Sequence, residues 1–149
     1  MINPNIKAFF DPETWTFTYV VYEKPATPCV VIDSVLNFDP KSGRTSTNSV
    51  DELITFIQKN HLQLAWILET HAHADHARTG CGEYWAIGAS ETILRQRLGA
   101  TINLIPVDYG QLHRIGDARV SFHSAGHVLG SAQIRLEAGG ESWLVSGDY

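Results

Sequence analysis

At 149 residues the chain has the length of one domain, and a chain of this size buries roughly 68–70% of its unfolded surface. Apolar residues make up 44%, which excludes disordered and fibrous classes, and a formal net charge of −5 argues against the basic stripe of a broad nucleic-acid footprint. Two distant cysteines, Cys29 and Cys81, exclude a disulfide framework and read as buried small hydrophobes. The N-terminus lacks signal-peptide character and no apolar run reaches the roughly 20 residues of a membrane span, so a cytoplasmic protein without membrane contact is expected.

Trp15 to Tyr22 is rich in aromatic, threonine and valine residues and reads as a strand. Glu23 to Thr27 has hairpin-loop character, and Cys29 to Asp33 is a second strand. Asn37 to Asn48, polar and broken by Pro40 and Gly43, is expected as a surface loop. Ser49 with Glu52 three residues later forms a capping-box pattern, and Val50, Leu53, Ile54 and Ile57 recur at helical spacing to about Asn60. Leu62 to Leu68 is the next strand and runs into a histidine-rich loop. Tyr84 to Ile87 is a short strand and Ser90 to Leu98 a short helix capped at or near Ser90. Asn103 to Val107 and Gln111 to Ile115 follow as strands around the turn at Asp108-Tyr109-Gly110. Ala118 to His123, Ala132 to Glu137 and Ser142 to Ser146 are three more, the last two joined through Gly139-Gly140. The pattern is α/β, a sheet with its helices packed on one face. No repeat or interdomain linker interrupts it, so residues 1–149 read as a single domain. The four tryptophans, Trp15, Trp66, Trp85 and Trp143, lie in predicted strands and read as core.

The loop after Leu68 reads Thr70-His71-Ala72-His73-Ala74-Asp75-His76. Four metal-competent side chains lie within six residues, and imidazole and carboxylate are donors that zinc, iron and manganese accept. The alanine spacers allow a tight curl, so His71 and His73 can share one ion while Asp75 and His76 face a second. His127 in a glycine-flanked loop and Asp148 after Ser146-Gly147 put two further donors at strand ends. Arg78 is a possible phosphate contact or a solvated loop residue. His61, His113 and His123 have no ligand-like context and read as surface or hydrogen-bonded residues.

With His71-Ala72-His73-Ala74-Asp75-His76, Ala125-Gly126-His127 and Ser146-Gly147-Asp148 in place, the chain resembles the metallo-β-lactamase superfamily. That resemblance implies an αβ/βα sandwich of mixed sheets with helices on the outer faces and metals in a cleft at a sheet edge. It implies His71, His73 and His127 on a first metal, Asp75 and His76 on a second, and Asp148 bridging. Residues 1 to about 70, with Phe9-Phe10-Asp11-Pro12, Ile32-Asp33-Ser34-Val35 and Asp39-Pro40-Lys41-Ser42-Gly43-Arg44, resemble persulfide dioxygenases and glyoxalase II. Residues 71 to 149, with His76-Ala77-Arg78-Thr79-Gly80, Gly126-His127-Val128-Leu129-Gly130-Ser131 and Gly147-Asp148-Tyr149, resemble ligase-associated DNA exonucleases, so a chimera is suspected. Superfamily members usually continue well past the position of Asp148, so a partial sandwich, incomplete at the C-terminus, is expected, with a homodimer as one way to complete it.

Three functions compete. The first is hydrolysis at one or two zinc ions of a phosphodiester, with nucleic acid as substrate and Asp75 and Asp148 orienting the attacking water. The second is persulfide oxidation or thioester hydrolysis at a mononuclear iron site held by His71, His127 and Asp148. Manganese is a further possible cofactor. The third is a half-fold that binds metal without turnover.

Overall fold

A computed structural model describes residues 3–39, 41–42, 44–71 and 83–147. Among the described residues, twelve strands, two α-helices and a 3-10 turn follow one another. A hairpin of β1 (Asn5–Asp11) and β2 (Thr16–Tyr22) leads into β3 (Pro28–Ile32), and a small hairpin of β4 (Asn37–Asp39) and β5 (Arg44–Ser46) precedes α1 (Asn48–Lys59). After β6 (Gln63–Leu68) come β7 (Glu83–Ile87), the 3-10 turn Gly88–Ser90, α2 (Glu91–Leu98) and β8 (Leu104–Val107). The chain then forms β9 (Leu112–Ile115), β10 (Ala118–Ser124), β11 (Ala132–Ala138) and β12 (Glu141–Val145).

These strands make two principal sheets. The first has the order β1-β2-β3-β6-β7-β8, antiparallel over its first three strands and parallel from β3 onward. The second is the antiparallel meander β12-β11-β10-β9. The strict alternation of strand side chains sorts the core into two layers. Val30, Ile32, Leu68, Trp85, Ile87 and Val107 face Ile115, Val120, Phe122, Ile134 and Leu136 of the second sheet. On the other face of the first sheet, Val20, Val31, Ile67, Tyr84 and Leu104 are covered by Leu53 of α1 and Leu94 of α2. Strands buried on both faces explain why β3 and β6 read as unbroken apolar runs. The fold class is therefore as expected, mixed α/β with both helices on the outer face of a mixed sheet. None of the helices among the described residues is long and apolar enough to cross a membrane.

One strand was not expected from sequence, and two local expectations need correction. β1 escapes sequence reading because most of its residues are exposed and show no apolar alternation. The stretch expected as an irregular surface loop contains the β4–β5 hairpin, exposed in β5 and equally silent in pattern. The capping box is not used: α1 begins at Asn48 after Thr47, with no side-chain cap from its own N-cap residue. Asn37 supplies one from outside the helix. Its Oδ1 accepts the Ser49 N–H at 2.8 Å and its Nδ2 donates to Ser49 Oγ at 2.8 Å, so a first-turn orphan donor is satisfied by a distant residue.

Candidate metal centre

The parallel strands β3 and β6 end side by side, and the residue that follows β3 is a buried carboxylate. Asp33 has φ 52, a left-handed conformation that aspartate tolerates better than most residues. Its N–H donates to the Leu68 carbonyl at 3.0 Å, which pins the end of β3 to the end of β6. Its carboxylate accepts two hydrogen bonds from Thr70, one from the N–H and one from Oγ1, each 2.7 Å.

Thr70 Oγ1 also lies 2.8 Å from Nδ1 of His71. A hydroxyl has one proton, and here it goes to the carboxylate, so toward His71 the same oxygen accepts. Nδ1 therefore carries the imidazole hydrogen and Nε2 the lone pair. That is a tautomer able to ligate a metal, and a carboxylate acting on the far nitrogen is how ligating histidines are oriented and made more basic.

A second imidazole arrives from residues 125–131, between β10 and β11. The loop is closed by Ala125 N–H to Ser131 carbonyl at 3.3 Å, Ser131 N–H to Val128 carbonyl at 2.9 Å and His127 N–H to Ser131 Oγ at 3.1 Å. The Tyr109 hydroxyl donates to the Ser131 carbonyl at 2.8 Å. Gly130 has φ 79 and seats the loop on the 3-10 turn, where a Cβ would fall 2.0 Å from Ser90 Oγ. His127 thus stands with its ring centroid 5.7 Å from that of His71, the planes at 88°.

The end of β12 closes the arrangement. Gly147 has φ 61 and packs on Thr70, whose Oγ1 would lie 2.5 Å from a Cβ placed there. The Thr70 carbonyl accepts the Ala132 N–H at 2.5 Å, so this one residue is tied to the segments that follow β3, β10 and β12. A cavity of about 110 Å³ opens beside it, lined by Tyr19, Asp33, His71 and Gly147 among others. Burial first, and the Asp33 charge second, push the Tyr19 phenol above its ordinary 10.0, so it stays a neutral donor.

Of the ligands expected from sequence, His71 and His127 are brought together. His73, Asp75, His76 and Asp148 lie outside the described residues, as do Arg78, Cys81 and Tyr149. Among the described residues no group of three or more His, Cys, Asp or Glu side chains assembles. The donor chemistry of the pair nonetheless fits a divalent metal: two imidazoles at right angles, one with its tautomer set. Asp33 and Thr70 were visible in sequence only as neighbours of motifs; an aspartate closing an apolar strand was their one signal. Trp15 is a correction. It is 79% exposed at the tip of the β1–β2 hairpin with φ 59, not core, whereas Trp85 is buried and Trp66 and Trp143 pack against the inter-sheet layer.

Comparison with known proteins bears on this geometry. No family model matches the chain. It is 37% identical over 147 residues to a β-lactamase hydrolase-like protein of Agrobacterium fabrum, covering 86% of this chain and 34% of that one. It is 39% identical over 121 residues to a probable metallo-hydrolase of Burkholderia pseudomallei, covering 75% of this chain and 41% of that one. A human mitochondrial persulfide dioxygenase is 31% identical over 133 residues, with 88% and 47% covered. Among solved structures, a metallo-β-lactamase from Staphylococcus aureus matches with TM-score 0.69 at 18% identity, covering 94% of this chain and 40% of that one. The chain has the metallo-β-lactamase fold.

The chain spans between a third and a half of the length of these curated relatives. The likeness to the solved metallo-β-lactamase is one of fold alone at this identity. The likeness to a metallo-hydrolase and to this fold implies a metal cofactor.

Proposed function

We propose that the chain is the metal-bearing part of a metal-dependent hydrolase that acts on a phosphodiester. The observation that carries the reading is the convergence of His71 and His127 from strand ends far apart in sequence, with the Nδ1 hydrogen of His71 held through Thr70 by Asp33. His71, His73 and His127 would hold a first ion, Asp75 and His76 a second, and Asp148 would bridge. A bound zinc supplies Lewis acidity that activates water at neutral pH and offsets charge on the attacked group. The chain's own residues do the rest: Asp33 and Thr70 hold the His71 ring, and Asp75 and Asp148 orient the attacking water. The preference for a phosphodiester rests on the resemblance of residues 71–149 to nucleases of the metallo-β-lactamase superfamily.

The test is elemental analysis of protein purified without chelator, followed by cleavage of bis(p-nitrophenyl) phosphate with zinc or manganese. One or two zinc ions per chain and metal-dependent release of nitrophenol support the reading. Metal without cleavage of any phosphodiester removes the substrate assignment, and folded protein that binds no metal removes the hydrolase.

A second reading is favoured by the similarity to a persulfide dioxygenase over 88% of this chain. His71, His127 and Asp148 supply two histidines and one carboxylate, the set that suits non-haem iron. Iron as the metal that co-purifies, with oxygen consumed on a glutathione persulfide, would select it.

A further inference from the structure

His127 reaches His71 on residues 125–131, the connection between β10 and β11. That connection holds two glycines in the left-handed region, Gly126 at φ 76 and Gly130 at φ 79. Glycine gives a free chain many conformations, and a ligand carried on a free loop has to be ordered when the ion arrives. The cost of that ordering is subtracted from the affinity for the ion, unless the loop is fixed in advance.

Ser131, buried at the end of the loop, is the hub that fixes it. Its N–H donates to the Val128 carbonyl, its carbonyl accepts the Ala125 N–H, and its Oγ accepts the His127 N–H. The next residue, Ala132, donates its N–H to the carbonyl of Thr70, which precedes His71. One run of contacts through Thr70, Ala132 and Ser131 thus spaces the two imidazoles, and none of these contacts involves an ion.

A side chain from outside the loop holds Ser131. The Tyr109 hydroxyl, from the turn between β8 and β9, donates to the Ser131 carbonyl at 2.8 Å. Tyr109 is itself anchored through its main chain. It bridges to Phe122, and the neighbouring Gly110 N–H donates to the Phe122 carbonyl at 2.8 Å. Phe122 is fully buried in the layer between the sheets, so the anchor is rigid. The Tyr109 ring is 45% exposed, so its contribution lies in the hydroxyl bond rather than in packing.

We propose that Tyr109 is a positioning residue for the metal centre: by holding the Ser131 carbonyl it keeps Ser131 Oγ on the His127 N–H, so that His127 stands ready before an ion binds. This inference rests on the reading of His127 as a metal ligand.

The experiment measures the zinc affinity of the folded full chain by competition with a chromophoric chelator. Tyr109→Phe keeps the ring, deletes the hydroxyl and should bind zinc about tenfold more weakly. Its His127 amide should exchange with solvent faster than the parent's in the zinc-free protein, and at the parent's rate once zinc is bound. Ser131→Ala removes the acceptor of that amide and should weaken zinc to a similar extent. The double variant should be little worse than either alone, because both act through one loop. Should Ser131→Ala fail to fold, Tyr109→Phe, at a half-exposed ring, decides the matter by itself. A Tyr109→Phe variant with a lower urea midpoint but parental zinc affinity and His127 exchange would have lost only support for the fold, which overturns the proposal. Losses that multiply in the double variant overturn it as well, and so does a parent protein that binds no zinc. Cleavage of bis(p-nitrophenyl) phosphate separates the two levels. Zinc affinity that depends on Tyr109 without cleavage removes the hydrolase and leaves the positioning role, whereas cleavage with unchanged affinity in Tyr109→Phe does the reverse.

Discussion

Replacing Thr70 by valine keeps the shape of the side chain and deletes only the hydroxyl between Asp33 and His71. The imidazole then loses the contact that sets its tautomer, and Asp33 loses one of its donors in a buried setting. Zinc affinity should fall by about 10–100-fold, measured by competition against a chromophoric chelator, with Thr70→Ser close to the parent protein. An unchanged affinity in the valine variant would mean that the ring is held by other contacts. His71 and His127, which the structure brings together, stood out in sequence because each lies in a donor-bearing loop at a strand end. Thr70 did not, since a threonine beside a histidine carries no signal until the fold sets a carboxylate behind it.

At the scale of elements, the long periodic and apolar segments were legible. α1 shows helical spacing at Val50 and Leu53, and β3 and β6 are buried on both faces. β1 and β5 were not, because exposed edge strands have no inside face to impose a pattern. The start of α1 was misread for a related reason: the capping box is a local rule, and Asn37, twelve residues before Ser49, supplanted it. Asn37→Ala removes that cap and should destabilise the fold by about 1 kcal/mol, read as a lower urea midpoint at unchanged slope. Ser49→Ala leaves the backbone bond to Asn37 Oδ1 in place and should have the smaller effect. The reverse order would show that the capping box acts after all.

For the whole molecule, strand content and class could be read in advance, but the partition into two facing sheets could not. Nothing local says that β9 to β12 pair among themselves and turn Val120, Phe122 and Ile134 toward Ile32 and Leu68. That partition brings His127 to His71, so the site follows from tertiary structure rather than from any one motif. The Thr70 carbonyl receiving the Ala132 N–H has a thermodynamic corollary. Because Thr70, next to His71, anchors the first residue of β11, an ion held at His71 and His127 would couple its binding to the docking of the two sheets. Free zinc at a hundred times its dissociation constant should then add about 2.7 kcal/mol to the unfolding free energy of the whole domain. Tryptophan fluorescence and far-ultraviolet dichroism should report it as one shared midpoint, and a metal-dependent shift in only one of the two would break that unity. The ambient concentration of free metal would accordingly act as a rheostat on how much of the chain is folded at all.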